Sequence, residues 1–206
     1  DISDRVEVGG ETGLLGLAFS LDFASDGVMY LSYSTSSAQR VSAFTSGDGG
    51  ASFADGAAQE EVHWEHTRIY GPHNGGDLHV DAGGNLLVTF GDGGEFVTAQ
   101  DMDSAHGSIL RFDPNGTNAL PTDADFRTRN YGIPPDNPDF GGSVPELYAK
   151  GLRNPFRATV DPLTGDVWTG DVGEDAWEEV NHVVPGGNYG WPYQEGPDCF
   201  SIDPCD

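Results

Sequence analysis

A histidine and an aspartate stand at the two ends of one short hairpin in this sequence. His73 lies in a glycine-rich loop just before the apolar stretch Leu78–Val80, and Asp92 comes just after the strand-like stretch Asn85–Phe90. The intervening Asp81–Gly84 is typical of a tight turn, because aspartate and glycine tolerate positive φ angles. A hairpin returns the chain to its starting point, so we expect the imidazole and the carboxylate to lie at the same end.

A histidine that is oriented by a carboxylate can act as a general base. The same two residues also fit an ordinary loop histidine beside a turn aspartate, since Gly-Asp turns are common in proteins built from β-strands. This stretch by itself leaves both interpretations open.

The plan of the hairpin occurs three times: a polar or glycine-rich loop, an apolar strand, a turn with Asp and Gly, and a second apolar strand. The first strands begin near Leu17, Leu78 and Ala158. Each loop carries a polar residue five or six positions before its strand, and the second and third units end in Gly-Asp. These residues are Glu11, His73, Arg153, Asp92 and Asp171.

Strand repeats of this kind are typical of β-propeller blades, whose equivalent loops open at one face of the ring. We therefore predict that the five residues line one central opening. A propeller needs about four to eight blades to close, so three units predict that residues 1–206 are one partial propeller domain.

Other apolar stretches predict further strands and an all-β fold. They lie at 14–19, 28–33, 40–45, 61–70, 108–112, 156–160, 166–169 and 176–184. We expect a turn at 20–27 and a loop at 96–104. Residues 117–145 are rich in proline and predict a long insertion without regular structure, a kind of segment that is usually functional or wraps a surface.

Charge is the strongest feature of the composition. The formal net charge is −25, with 34 Asp and Glu against 9 Lys and Arg, and Lys150 is the sole lysine. This charge argues against binding to nucleic acid or an anionic membrane, which need basic surface, and it would attract cations such as Ca²⁺. Both a high-salt habitat, where salt screens the repulsion, and an ordinary acidic secreted protein fit this composition.

Two cysteines, Cys199 and Cys205, stand six positions apart across a proline-containing loop. This spacing favours a local disulfide over a metal site, because a metal site needs more ligands than two cysteines. A disulfide would in turn indicate an oxidising compartment. A pair of free thiols stays open. No apolar run reaches 18 residues, so we expect no membrane-spanning helix. The chain does not begin with Met, and a mature, trimmed or partial chain would account for that.

Six groups of residues, spread in the same order over residues 11–192, resemble one known family. The family is that of the soluble sugar dehydrogenases that depend on pyrroloquinoline quinone (PQQ), of the glucose/sorbosone dehydrogenase type. The matching groups are Gly13–Phe19, His73–Gly76 with Gly91–Gly94, Ile109–Arg111, Tyr131–Pro138, Gly151–Pro155 and Asn188–Pro192. The stretch 170–180 also resembles the related hedgehog-interacting-protein branch, which is a binding module.

The resemblance implies a six-bladed β-propeller that carries PQQ and Ca²⁺ at its axial opening and oxidises an aldose at the anomeric hydroxyl. It also implies an external electron acceptor and a secreted or periplasmic location. The residues that match the family's functional positions are His73 as base, Asp92 as its partner, Arg153 on the quinone oxygens, Asn154 on the cofactor, Glu11 on the sugar, and the carbonyls of Gly173 and Glu174 on Ca²⁺.

Two departures from the family pattern keep a second function open. Further basic residues that hold PQQ in the family belong to later blades, and Asp77 stands where a basic residue is frequent. The alternative is a non-catalytic propeller module that binds a protein or glycan partner.

The remaining histidines do not predict a transition-metal site, because they lack paired ligand spacing. His63 and His66 lie in one predicted strand, where we expect them on opposite faces. Three of the four tryptophans are expected in the core, and Trp191 is the one we expect in a sugar-stacking position.

Overall fold

The computed structural model describes residues 1–53, 60–69, 71–118 and 120–200. Antiparallel β-sheets make up its regular structure. The helices in these ranges are two short turns, α1 (Phe23–Asp26) and a 3₁₀ helix (Phe96–Gln100). The prediction of an all-β fold is confirmed.

The first sheet has five strands in the order β1-β2-β3-β4-β8. Its first four strands follow one another along the chain, and each pairs antiparallel with the next. The strand bounds are β1 Leu14–Phe19, β2 Val28–Ser34, β3 Ala38–Thr45, β4 Glu60–Thr67 and β8 Phe126–Arg129. The fifth strand reaches this sheet only after the chain has passed through the second one.

The second sheet is antiparallel, in the order β5-β6-β7-β9. The bounds are β5 Leu78–Val80, β6 Leu86–Phe90, β7 Ser108–Phe112 and β9 Leu147–Lys150. Its first turn forms as the sequence predicts, because the Asp81 carboxylate accepts the backbone N–H groups of Gly83 at 2.8 Å and Asn85 at 2.9 Å. These bonds satisfy the turn's donors and close the hairpin that carries His73 and Asp92.

The third sheet has three antiparallel strands, β10 Pro155–Val160, β11 Val167–Asp171 and β12 Glu179–Val183. A two-stranded ribbon follows it, formed by β13 Gln194–Glu195 and β14 Asp198–Cys199. The predicted strand over 176–184 is therefore shorter than its apolar pattern, since residues 174–177 form a loop that is bonded to the ribbon.

The second sheet lies between the other two. One of its faces packs on the first sheet through a core that includes Trp64, Leu86 and Leu110. Its other face packs on the third sheet through Ile109, Val167 and other apolar residues. Burial on both faces explains why all five residues of β6 are buried, with no alternation between apolar and polar positions.

The two outer faces of this stack keep apolar side chains at the surface. On the first sheet, Leu17 and Phe19 are about half exposed, and on the third sheet Trp168 is 41% and Val180 is 78% exposed. Trp177 is 44% exposed, so the expectation of a core position is wrong for Trp168 and Trp177.

The predicted insertion at 117–145 contains regular structure, which corrects the sequence interpretation. Its strand β8 pairs with β4 through Trp64 and Arg129. The guanidinium of Arg129 donates to both oxygens of the fully buried Glu146, at 2.8 and 3.0 Å, and the buried Tyr131 hydroxyl donates to the same carboxylate. This paired charge fixes the segment to the core.

The structure also bears on the predicted loops, on two histidines and on the predicted disulfide. Residues 96–104 were expected to be a loop but begin with the 3₁₀ helix, and 20–27 contains α1. His63 and His66 are both buried, and the pairing of β4 with β3 shifts register at His63, between Val62 and Trp64. The expected disulfide involves Cys205, which lies outside the described residues, so it stays a prediction.

Acid should weaken the fold through His66. Its ring packs among Trp64, Phe90, Phe126 and His106, and burial lowers its pKa to about 4. The unfolded histidine binds a proton below about pH 6.5. Stability that is complete above pH 6.5 is therefore lost as the pH falls towards 4.

We expect His66→Phe to keep the ring packing and remove this loss. Between pH 7 and 4.5 the free energy of unfolding of the wild type should fall by about 2 kcal/mol more than that of the variant. Urea unfolding at both pH values measures the difference. His182→Gln is the control, because this side chain is 44% exposed. Parallel losses in wild type and His66→Phe would contradict the prediction.

Candidate active site

The five repeat-related residues lie together, in loops at one end of the three sheets. Glu11 precedes β1, His73 precedes β5, Asp92 follows β6, Arg153 precedes β10, and Asp171 ends β11. Hydrogen bonds join all five into one network. The sequence therefore predicted the grouping, and the sheets produce it by presenting equivalent loops on one side.

The centre of the network is the contact between His73 and Asp92. Nδ1 of the imidazole lies 2.6 Å from Oδ1 of the carboxylate, and Asp92 is fully buried. The same carboxylate accepts the backbone N–H of Gly94 at 2.7 Å and Nε1–H of Trp191 at 2.8 Å. Because a carboxylate oxygen accepts hydrogen bonds, Nδ1 of His73 carries the hydrogen, and Nε2 of the neutral ring keeps the free lone pair.

His73 has a strained backbone that fixes where its ring points. Its φ of 56° is in the left-handed region, which is uncommon for residues other than glycine. Its N–H donates to Oε2 of Glu11 at 2.5 Å. Gly91 lets the two loops approach, since a Cβ there would lie 2.2 Å from the His73 carbonyl oxygen.

Asp171 organises the backbone of the neighbouring loop. Its two carboxylate oxygens accept the N–H groups of Arg153 at 2.9 Å and Asn154 at 2.7 Å, and the Arg153 carbonyl accepts the N–H of Asp92 at 2.8 Å. Burial raises the pKa of Asp171 to about 7, although these two N–H bonds oppose the shift. The carboxylate is therefore a structural support under the loop.

Arg153 presents a guanidinium that is only partly satisfied. It donates to the carbonyl of Val172 at 3.0 Å, pairs with the carboxylate of Glu174, and lies 5.6 Å from the Trp191 ring centroid. Its Nε is buried and has no hydrogen-bond partner. A buried donor without an acceptor is costly, so this position is suited to an additional anionic or carbonyl acceptor.

Asn154 links the first and second repeats. Its side-chain oxygen accepts the N–H of Gly75 at 3.1 Å, and its Nδ2 donates to Glu11 at 3.3 Å. The oxygen that receives this bond is the one that holds His73, so Glu11 is shared between the two residues.

The loop 173–177 wraps around one carboxylate. Oε1 of Glu195 accepts the backbone N–H groups of residues 174–177 at 2.6–3.4 Å. Gly173 is confined, since a Cβ there would lie 1.8 Å from the carbonyl oxygen of Trp177. No described residue donates a hydrogen bond to the carbonyl oxygens of Gly173 or Glu174.

Sequence reasoning missed two residues of this site. Glu195 lies in a two-residue strand, and nothing in the local pattern identifies it. Trp191, expected to stack on a sugar, is buried and donates to Asp92 instead. The sequence places Trp191 in a rigid turn rich in Gly and Pro. That position indicates a functional residue, but it does not show that the indole binds Asp92.

Two cavities of similar volume lie at different places in the fold. One, of about 470 Å³, lies away from the network and is lined by His66, His106, Arg129, several aspartates and apolar residues. The other, of about 480 Å³, borders the network and is lined by Glu11, Arg68 and neighbouring loop residues. Within the described ranges, no group of three or more His, Cys, Asp or Glu side chains could hold a metal ion. No described helix is long and apolar enough to cross a membrane.

Comparison with known proteins decides the family. The family model for glucose / sorbosone dehydrogenase matches residues 1–201. The chain belongs to this family.

Relatives of this chain include both plant and bacterial proteins. It is 30% identical to the HIPL2 protein of Arabidopsis thaliana over 98% of this chain and 36% of that protein. It is 29% identical to the aldose sugar dehydrogenase YliI of Escherichia coli strain K12, over 89% of this chain and 47% of that enzyme. The chain thus spans half or less of the length of these relatives.

A solved structure shows the same relation. The PQQ-bound aldose sugar dehydrogenase from Streptomyces coelicolor superimposes with a TM-score of 0.73 and 29% identity, covering 94% of this chain and 52% of that one.

Asp92→Asn should destabilise the fold. An asparagine amide places an N–H₂ group against donors that now face a carboxylate oxygen, which leaves at least one of them unsatisfied. We expect the free energy of unfolding to fall by about 2–3 kcal/mol, measured by urea unfolding followed through tryptophan fluorescence.

The matched control is Asp166→Asn, which alters a second His–Asp pair. Asp166 lies 3.4 Å from His182, and both side chains are more than 40% exposed, so the change should be within about 0.5 kcal/mol. Equal effects of the two substitutions would contradict the central position of Asp92.

Proposed function

We propose that this chain is the partial propeller domain of an aldose dehydrogenase that uses PQQ and Ca²⁺, with His73 as the general base. The observation that carries the proposal is the buried, oriented His73–Asp92 pair beside Arg153, in a chain of this family. One solved relative is, by its title, a PQQ-bound aldose sugar dehydrogenase.

Three stacked antiparallel sheets with loops grouped at one end support the propeller. In this proposal each sheet is part of one blade in a six-bladed ring, within a domain over residues 1–206. The apolar outer faces, which expose Leu17 and Phe19 on one side and Trp168 and Val180 on the other, would meet the neighbouring blades. The segment 117–145 would be an insertion that adds β8 to the first blade.

His73 is suited to remove the proton of an anomeric hydroxyl. Its Nδ1–H is held by Asp92, so Nε2 is the nitrogen that receives the proton. Asp92 then stabilises the imidazolium that forms, because its carboxylate already faces the ring. PQQ, when bound, supplies the two-electron acceptor for the hydride from the sugar carbon. Glu11, whose carboxylate borders His73, would contact the sugar.

The residues that are present fit an anionic cofactor. The buried Nε of Arg153 has no partner, and its guanidinium would stabilise negative charge on the quinone oxygens. Asn154, next to it, would bind the cofactor as well. Glu174 now pairs with Arg153, so its carboxylate would have to turn away to admit an anion.

Calcium fits through backbone oxygens. The carbonyls of Gly173 and Glu174 receive no hydrogen bond from a described residue, and the Glu195 carboxylate holds their loop in shape. Carbonyl oxygens are ligands that Ca²⁺ accepts. Calcium held there would act as a Lewis acid on the quinone.

The remaining parts of the proposal follow from the family. The sugar would be the small-molecule partner, and an external electron acceptor would reoxidise the cofactor. We place the protein in the periplasm or outside the cell. A formal net charge of −25 is compatible with such a place, and it disfavours nucleic acid as a partner.

A non-catalytic binding module is the second candidate function. It is favoured by the Arg153–Glu174 contact, which pairs the guanidinium beside the network with a carboxylate. In that case a protein or glycan would bind at the open end of the sheets, and PQQ would not bind.

His73→Ala decides between the two functions in the protein that contains this chain. We expect it to lower kcat for dye-linked aldose oxidation with PQQ and Ca²⁺ by about 10²–10⁴-fold. The affinity for PQQ, measured by titration, should stay within about threefold, because the base acts on the sugar.

His79→Ala is the matched control, since His79 forms another His–Asp pair, 3.3 Å from Asp77 and outside the network. It should retain wild-type turnover. Absence of both PQQ binding and aldose oxidation in the wild type would favour the binding module, and turnover retained in His73→Ala would remove His73 as the base.

A further inference from the structure

Lys150 is the only lysine of the chain, and it is completely buried. Its ammonium donates to three backbone carbonyl oxygens, those of Thr98 at 2.9 Å, Ser104 at 2.8 Å and His106 at 2.6 Å. All three acceptors belong to the segment that connects Asp92 to β7. One side chain therefore holds this whole connection in place.

Burying a lysine is unfavourable, and the chain bears that penalty here. Burial lowers the pKa of Lys150 to about 7, and only Asp101 opposes the shift. A methionine or leucine could fill similar space without this penalty. The three directed hydrogen bonds are what an apolar residue could not supply.

Hydrogen bonds through Thr98 connect the side chain of Lys150 to Asp92. The Thr98 carbonyl binds the ammonium, and the Thr98 hydroxyl donates to the carbonyl of Asp92 at 2.9 Å. This hydroxyl also lies 2.8 Å from the carbonyl of Glu95. The turn that contains Asp92 is thus bonded to a residue that Lys150 holds.

The backbone of Lys150 is connected to Asp92 through a second loop, the one that carries Trp191. Its N–H donates to Gly187 at 2.9 Å and its carbonyl accepts from Tyr189 at 2.9 Å, so it pairs with the loop that carries Trp191. Trp191 then donates to the second carboxylate oxygen of Asp92. Two loops that touch Asp92 therefore converge on one residue.

We propose that Lys150 is a positioning residue, which holds Asp92 and through it the His73 ring by ordering the 96–107 segment. The inference deepens the proposed function, because it concerns the same histidine. It requires neither PQQ nor turnover, since it is a statement about the ring's hydrogen bond in the protein as it stands.

The test is the NMR spectrum of the His73 ring at pH 6, where Lys150 is charged. The wild type should give one lysine Nζ signal, as the chain has one lysine, and a low-field Hδ1 signal from the 2.6 Å contact with Asp92. Lys150→Met and Thr98→Val should each shift or broaden this Hδ1 signal. Thr98→Ser, which keeps the hydroxyl, should leave the Hδ1 signal as it is in the wild type.

Thr169→Val is the matched control, since it removes a buried threonine hydroxyl that donates to Arg157 at 3.0 Å, away from Asp92. It should leave the His73 signal unchanged. Should Lys150→Met fail to fold, the two Thr98 variants and the control still decide the matter.

An unchanged His73 signal in a folded Lys150→Met variant, or in Thr98→Val, would overturn the proposal. An equal change in Thr169→Val would also overturn it, because the effect would then be general loosening. These outcomes are independent of the proposed function, which fails on different results: absence of PQQ binding and aldose oxidation, or turnover retained in His73→Ala.

Discussion

A single buried carboxylate, that of Asp92, ties together loops from distant parts of the chain. It receives the imidazole of His73, the indole of Trp191 and a backbone N–H of its own turn. A fully buried charge is tolerated only when hydrogen bonds replace the water it has lost. The three loops must therefore arrive together, and the arrangement fixes both the orientation and the tautomer of His73.

The sheets make this convergence possible. The second sheet packs on both neighbours, so its strands are rigid and their ends are well placed. Backbone contacts between loops then need small residues, as at Gly91, where a Cβ would collide with the His73 carbonyl oxygen. The strain in the His73 backbone persists because Glu11 and Asp92 hold the residue from two sides.

Acidic side chains have a structural role in the loops of this fold. Several of the carboxylates serve as hydrogen-bond acceptors for loop backbone rather than as solvent-exposed charges. Asp171 holds the Arg153 loop and Glu195 holds the loop 173–177. Arg153 stands among these acids with one unpartnered donor.

The sequence by itself determined the all-β fold, most strand positions and the grouping of Glu11, His73, Asp92, Arg153 and Asp171. It could do so because strand alternation and turn residues are local, and because a repeat places equivalent loops at one end. It failed where long-range pairing overrides local pattern, as in 117–145, where β8 joins a strand some 60 residues earlier.

Only the tertiary structure decided what each polar group binds. No local signal shows that Trp191 donates to Asp92, that Glu195 caps a loop about 20 residues away, or that the sole lysine lies in the core. These contacts join residues far apart in the chain, and their partners depend on how the sheets stack. Residue type and spacing therefore identify the chemistry, whereas burial and the packing of the sheets determine which groups carry it.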